Sequence, residues 1–193
     1  KIKKKLINKF ENNYFSSSSN IENLSFVIEL AKKFNVKKSN LIKVVKKFRG
    51  LNYRQQIIFN NRDISIINDS KSTSYSSSIE MLKGKNNIYW LVGGIPKIGD
   101  KLNLSLNNCK NIKGFIFGTN QKKFSKDFKK KIKFKKFPDL SKALNQLLKD
   151  VKKDNSLAKT ILFSPAAASF DSFKNFEDRG AYFNKLIKKY LYA

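Results

Sequence analysis

From Phe48 onward, short apolar runs alternate with helical patterns. The runs are Gln56–Phe59, Ile64–Ile67, Ile88–Val92, Ile112–Phe117, Ile132–Phe134 and Thr160–Phe163, and helical stretches fill most of the gaps. Alternation of this kind specifies a mostly parallel sheet with helices packed on it, because parallel neighbours need a crossover and a helix is the usual one. The run Ile88-Tyr89-Trp90-Leu91-Val92 is apolar throughout, as an interior strand covered on both faces must be. The clearest helix is Asp139 to Val151, where Leu140, Ala143, Leu144, Leu147, Leu148 and Val151 share one face. A second amphipathic helix is expected from Asp178 to Leu191.

The first third reads differently. Asn20 is a candidate helix cap, followed by Leu24, Val27, Ile28, Ala31 and Phe34 on one helical face. Ser39 is a candidate cap for a second helix carrying Leu41, Ile42, Val44 and Val45. Gly50 and Asn52 break the helical pattern, which sets a domain boundary near Lys47 and two segments, 1–47 and 48–193.

Charge and residue usage exclude several classes of chemistry. Lys and Arg number 41 against 14 Asp and Glu, a formal net charge of +27 that raises the expectation of an anionic partner. Arginine, the residue suited to bidentate phosphate and base recognition, occurs only at Arg49, Arg54, Arg62 and Arg179. The lysines spread over every expected helix and read mostly as solvated surface, so no nucleic-acid partner is expected. A lysine-rich nucleic-acid-binding module is the competing reading, which steep salt dependence of polynucleotide binding would favour. With Cys109 as the single cysteine and no histidine, internal disulfides, Cys/His zinc sites and Ser-His or Cys-His pairs are excluded. No apolar run approaches the ~20 residues of a membrane span. Lys1 to Ile7 lacks the apolar core, about 7–15 residues long, of a signal peptide. No membrane is expected, and the cytoplasm is the expected compartment. The only methionine is Met81, so the chain is expected to be the C-terminal part of a longer protein.

Three stretches follow strands and carry polar or glycine residues. Asn68-Asp69-Ser70-Lys71-Ser72-Thr73 gathers a carboxylate, an amine and hydroxyls at one strand end. There Asp69 can hold a ribose hydroxyl or a metal, and Lys71 and Thr73 an anion. Gly93-Gly94-Ile95-Pro96-Lys97 permits close backbone approach and places Lys97 as a point charge. Ser164-Pro165-Ala166-Ala167-Ala168-Ser169 offers small side chains between a strand and a helix. Each alone is explained by an ordinary strand-to-helix connection. Jointly they predict loops opening on one sheet edge, where open α/β sheets bind ligands, with Lys71, Lys97, Thr73 and Ser169 facing an anion. Gly118-Thr119-Asn120-Gln121-Lys122-Lys123 is not a phosphate-binding P-loop, since Gln121 and Phe124 stand where a glycine and a hydroxyl residue are needed.

These residues together resemble the Mur ligases. The resemblance is carried by Gly50-Leu51-Asn52-Tyr53-Arg54, Asn68 to Thr73, Gly93-Gly94 with Lys97, and Ser164 to Ser169 through Phe176-Glu177-Asp178-Arg179-Gly180, and runs from about Asn20 to the end. Within the family it is closest in pattern to the branch that adds D-glutamate. It implies a Rossmann-like α/β domain with helices on both faces, spanning 48–193, preceded over 1–47 by a helical remnant of the central ATPase domain. It implies an ATP-dependent ligase of peptidoglycan precursor synthesis that joins D-glutamate to UDP-N-acetylmuramoyl-L-alanine through an acyl phosphate, acting as a monomer and using Mg2+. Residue by residue, it makes Lys71 the lysine beside the reacting groups. Thr73, Lys97, Ser169 and Phe176 become D-glutamate contacts, and Asn20, Asn23, Arg54 and Asp69 become ATP contacts. Departures are Tyr53, where the family often has histidine, and the serines before Asn20. No metal ligand is assigned in this chain. The P-loop and magnesium ligands are expected upstream of Lys1, so the chain alone is expected to be inactive.

Overall fold

A computed structural model describes residues 12–191 apart from 17 and 84. The chain divides into two compact units, Lys1–Gly50 and Leu51–Ala193.

In the first unit a 3-10 turn, Asn13–Ser16, precedes helices α1 (Ser18–Lys33) and α2 (Lys38–Lys47). A small core of Phe15, Leu24, Ile28 and Val45 joins them. The Asn12 side chain donates to the carbonyls of Val45 and Phe48, both at 2.7 Å, and so satisfies the open end of α2. Two expected caps are corrected. Asn20 lies inside α1, where its amide donates to the Tyr14 carbonyl at 2.8 Å, so it serves as a buried donor. Ser39 lies inside α2, which starts at Lys38 after Lys37, a flanking residue that makes no side-chain cap bond. The physical reason is the preceding turn. Asn35 takes a left-handed φ of 52°, and Val36 N–H closes back onto the Ala31 carbonyl at 2.8 Å, which leaves no spacer before the second helix. Only part of the expected apolar face of α1 is covered: Leu24 and Ile28 are buried, while Val27 and Phe34 are exposed.

The second unit is a six-stranded sheet. Its strands are β1 (Gln56–Asn60), β2 (Ile64–Asn68), β3 (Ile88–Gly93), β4 (Ile112–Phe117), β5 (Lys133–Phe137) and β6 (Lys159–Phe163), in the order β1-β2-β6-β3-β4-β5. β1 pairs antiparallel with β2, and every other pairing is parallel. The helices are α3 (Tyr75–Leu82), α4 (Leu106–Lys110), α5 (Gln121–Phe128), α6 (Leu140–Lys153) and α7 (Phe176–Leu191). Trp90, Val92, Ile116 and Leu162 pack on one face with Tyr75, Met81, Cys109, Phe124 and Phe128 of α3, α4 and α5. Tyr89, Leu91, Phe115, Ile161 and Phe163 pack on the other with Leu144, Leu147, Phe183 and Ile187 of α6 and α7. This is the α/β sheet with both faces covered that the alternation requires. The all-apolar β3 is buried at every position because it lies inside the sheet, between β6 and β4.

Helix starts are fixed by local chemistry. Ser74 and Ser77 form a reciprocal capping box on α3, and the Asp139 carboxylate accepts from Lys142 N–H at 2.8 Å at the start of α6. The strand expected at Ile132–Phe134 instead runs Lys133–Phe137. It is an edge strand whose exposed positions are lysines, which obscures an apolar run but guards the open edge.

Candidate functional site

The strand order places β6 between β2 and β3, so the three loops singled out in the sequence leave three adjacent strands at their carboxyl ends. The backbone laces them together. Asp69 N–H donates to the Phe163 carbonyl at 2.7 Å, and Gly93 N–H to the Pro165 carbonyl at 3.1 Å. Ile95 and Ala168 exchange both backbone hydrogen bonds at 2.9 Å, a small antiparallel bridge beyond the sheet edge. Gly94 makes that bridge possible. Its φ is +126°, and a Cβ there would collide with the Ala168 carbonyl.

Lys71 is half-buried. Its N–H donates to the Tyr53 carbonyl at 2.9 Å, and its Nζ lies 4.1 Å from the centre of the Phe176 ring. A cation over an aromatic face is held in place while its outer side remains open to an anion. Thr73 and Lys97 are exposed on the neighbouring loops, and Ser169 is buried to 2% exposure. Among the described residues, neither Lys71 nor Lys97 forms an ion pair with a carboxylate. The two amines therefore remain available for a ligand.

Asp69 is 6% exposed and already engaged: its Oδ1 accepts from Gln55 N–H at 3.1 Å and its Oδ2 from the Ser164 hydroxyl at 3.0 Å. Ser164 continues a buried hydroxyl chain to Ser78 at 2.8 Å and then to Ser72 at 2.6 Å. Burial pushes the Asp69 carboxyl from 3.8 up to about 6, against the opposing hydrogen bonds and the nearby Arg54 charge. An acid whose pKa rises on folding stabilises the fold fully below its unfolded value, and that contribution fades as pH climbs through the folded value. For Asp69 the window is 3.8 to about 6. The ionised group then costs on the order of 3 kcal/mol at neutral pH relative to acid. Asp69→Asn is expected to flatten this dependence. Urea melts of the two proteins at about pH 4 and pH 7.5 measure it, and parallel curves would remove Asp69 as their cause.

Arg54 is exposed, in a segment where Tyr53 and Gln55 both adopt left-handed backbone, with φ of 62° and 49°. That segment is tied to the site through Gln55 to Asp69 and through Tyr53 to Lys71. Asn20 and Asn23 belong to the first unit, where Asn20 is buried and Asn23 exposed. Gln121 donates to the carbonyls of Gly118 and Phe137 at 2.9 and 2.6 Å, so this loop is closed by a side chain where a P-loop would need an open glycine. No three His, Cys, Asp or Glu side chains stand together to hold a metal ion among the described residues. No helix among the described residues is long and apolar enough to cross a membrane.

The residue that sequence reasoning missed is Arg179. It is fully buried, with Nε donating to the Ser70 hydroxyl at 3.1 Å, Nη1 to the Ala167 carbonyl at 3.0 Å and Nη2 to the Ser70 carbonyl at 2.7 Å. Ser70 in turn donates to the Phe176 carbonyl at 2.8 Å. One guanidinium thus joins the β2 loop, the β6 loop and the start of α7. Burial pulls its pKa down to about 10, partly offset by the Asp171 charge. The signal was present in the sequence: with four arginines against many lysines, the one that follows the last strand-end motif is a candidate for a buried fork.

No family model matches the chain. It is 34% identical over 179 residues to the UDP-N-acetylmuramoylalanine–D-glutamate ligase of Rickettsia felis, covering 93% of this chain and 40% of that protein. The ligase of the same name from Rickettsia prowazekii is 35% identical over 171 residues, covering 89% and 38%. That from Francisella philomiragia is 31% identical over 187 residues, covering 95% and 44%. The chain therefore spans about two fifths of the length of these relatives. In fold it is similar to MurF from Acinetobacter baumannii (TM-score 0.60, 16% identity, 89% of this chain and 38% of that one). It is also similar to the UDP-N-acetylmuramate-alanine ligase MurC of Thermotoga maritima (TM-score 0.56, 15% identity, 91% and 38%). Identity above 30% along about nine tenths of the sequence, with the same α/β fold in solved ligases, establishes that the chain belongs to the Mur ligase family and corresponds to its C-terminal region.

Proposed function

We propose that this chain is the amino-acid-binding part of an ATP-dependent ligase that joins D-glutamate to UDP-N-acetylmuramoyl-L-alanine. The observation that carries the reading is the site itself: three loops from adjacent strands, laced by backbone hydrogen bonds, presenting two amines without carboxylate partners. D-glutamate carries two carboxylates, and two amines with hydroxyls beside them are the complementary set. Lys97 and Thr73 hold one carboxylate, and Ser169 contributes its hydroxyl to the other. Phe176 fixes Lys71 where it faces the reacting groups, and Arg54 with the Asp69 region borders the nucleotide. ATP supplies the activation of the sugar-peptide carboxyl group, and this chain's residues bind and orient the amine partner that attacks it. Segments 1–47 and 48–193 are then the end of the central domain and the C-terminal domain.

The reading is tested by a graft. The corresponding region of the Rickettsia felis ligase is replaced by this chain, and phosphate release is measured with ATP, magnesium, UDP-N-acetylmuramoyl-L-alanine and a panel of amino acids. Release that depends on D-glutamate is expected. Release driven by another amino acid, with none for D-glutamate, would sink it. In the same graft Lys97→Ala is expected to raise the KM for D-glutamate about ten- to hundredfold, as loss of a charge-assisted contact of about 1.5–3 kcal/mol requires. An unchanged KM and kcat would remove Lys97 from the site.

A further inference from the structure

The proposed site offers cations and hydroxyls to two carboxylates, but a free amino acid also carries an ammonium, which needs an anionic or carbonyl acceptor. The carboxylates on the loops at this sheet edge and at the start of α7 can be sorted by what they already hold. Asp69 accepts from Gln55 and Ser164. Asp100 accepts from Tyr75 N–H at 2.5 Å, and Asp178 from Lys174 N–H at 3.3 Å. Glu177 is exposed in the first turn of α7. Asp171 differs. Its Oδ2 is buried and has no hydrogen-bond partner. Buried polar atoms are nearly always paired, so an orphaned carboxylate oxygen beside a ligand site calls for a partner.

Its position fits. Asp171 lies two residues beyond Ser169 on the loop that follows β6, and it faces Gly118 at the end of β4. A Cβ on Gly118 would stand 2.8 Å from the orphan oxygen, and 3.9 Å from the Gly94 nitrogen. The carboxylate, carried on the β6 loop, therefore abuts the β4 loop at Gly118, which itself lies near the Gly94 nitrogen of the β3 loop. Burial raises its pKa, while backbone N–H groups of Asp171, Thr119 and Ser172 and the Arg179 charge favour its ionised form.

We propose that the Asp171 carboxylate receives the α-ammonium of the incoming amino acid, so that the ligand is read as a zwitterion, with Lys97, Thr73 and Ser169 on its carboxylates. This rests on the D-glutamate reading above, and it names the group that separates an amino acid from a plain dicarboxylate. Glutarate, which is D-glutamate without the amine, is the probe.

The test is an NMR titration of the full chain with D-glutamate and with glutarate, for wild type and Asp171→Asn. Wild type is expected to bind D-glutamate about tenfold more tightly than glutarate, the factor expected for one charge-assisted contact. Asp171→Asn is expected to bind the two equally, with glutarate affinity no weaker than in wild type. A lesion that merely loosened the loop would weaken both ligands and leave their ratio intact. In wild type the Asp171 carboxyl carbon, followed against pH, is expected to titrate lower with D-glutamate bound and not with glutarate. That measurement decides alone should Asp171→Asn fail to fold. If D-glutamate shifts no resonance of Thr73, Lys97 or Ser169, the binding-site reading falls, and this assignment with it. If those resonances shift but the ratio survives in Asp171→Asn, or the Asp171 titration does not move, only the assignment of Asp171 falls.

Discussion

Arg179→Met is expected to lower the melting temperature of the chain by about 10 °C, as a loss of roughly 3 kcal/mol does for a unit of this size. The guanidinium satisfies the carbonyls of Ser70 and Ala167 and the Ser70 hydroxyl in a dry interior. Methionine fills the volume but supplies no donor, and each stranded carbonyl costs about 1–3 kcal/mol. Relief of the desolvation that holds the Arg179 pKa near 10 offsets part of this, so the net falls below the sum. Arg179→Lys is expected to rescue little, since an ammonium point charge cannot reproduce the planar fork that reaches two loops at once. A methionine variant melting within about 2 °C of wild type would show that the fork only occupies space.

Gly94→Ala is expected to destabilise the chain by about 3 kcal/mol or more and to abolish D-glutamate binding. Two effects add. A φ of +126° is open to glycine and strained for alanine, and the new methyl group falls on the Ala168 carbonyl, which accepts the Ile95 N–H. The bridge between the β3 and β6 loops must open, carrying Lys97 away from Ser169. Gly99→Ala is the control: its φ is +75°, and nothing lies within 4 Å of the added Cβ. There only the backbone term remains, about 1 kcal/mol. Chemical denaturation of both variants decides the matter, and equal losses would mean that the Ile95–Ala168 bridge does not hold the loops.

Sheet, helices and site loops were legible for one shared reason. Burial on both faces writes an unbroken apolar run into β3 and shorter ones into β4 (Phe115-Ile116-Phe117) and β6 (Ile161-Leu162-Phe163), and glycine or small residues must follow wherever loops approach each other. What the residues hid had physical causes too. β5 at the edge carries Lys133, Lys135 and Lys136, so its pattern resembles surface. The turn before α2 is set by a left-handed Asn35, a conformation that a cap-seeking reading of Ser39 passes over. At the site, residue type suggested ligands where the fold had already taken the partner. Asp69 reads as a free carboxylate until Gln55 and Ser164 are seen on it, whereas Asp171 belongs to the matching stretch without a role of its own and holds the unpaired oxygen. Charge was least informative, because +27 describes the surface and says little about the few amines at the proposed site.

The strand order also constrains the order in which this molecule can be made. β2 and β3 precede β6 in the chain, yet they never touch, because the place between them belongs to β6, the last of these six strands in sequence. Until it arrives, two parallel edges stand open toward a gap, each a template for pairing with another chain. The Phe163, Pro165 and Ala168 carbonyls that join the loops come with that same late segment. Assembly thus hinges on a closing event over long sequence separations, the slow kind of folding step, during which open strand edges invite pairing with other chains. A chain halted before β6 would lack the strand that joins the two halves of the sheet, so the three loops cannot be laced together ahead of it.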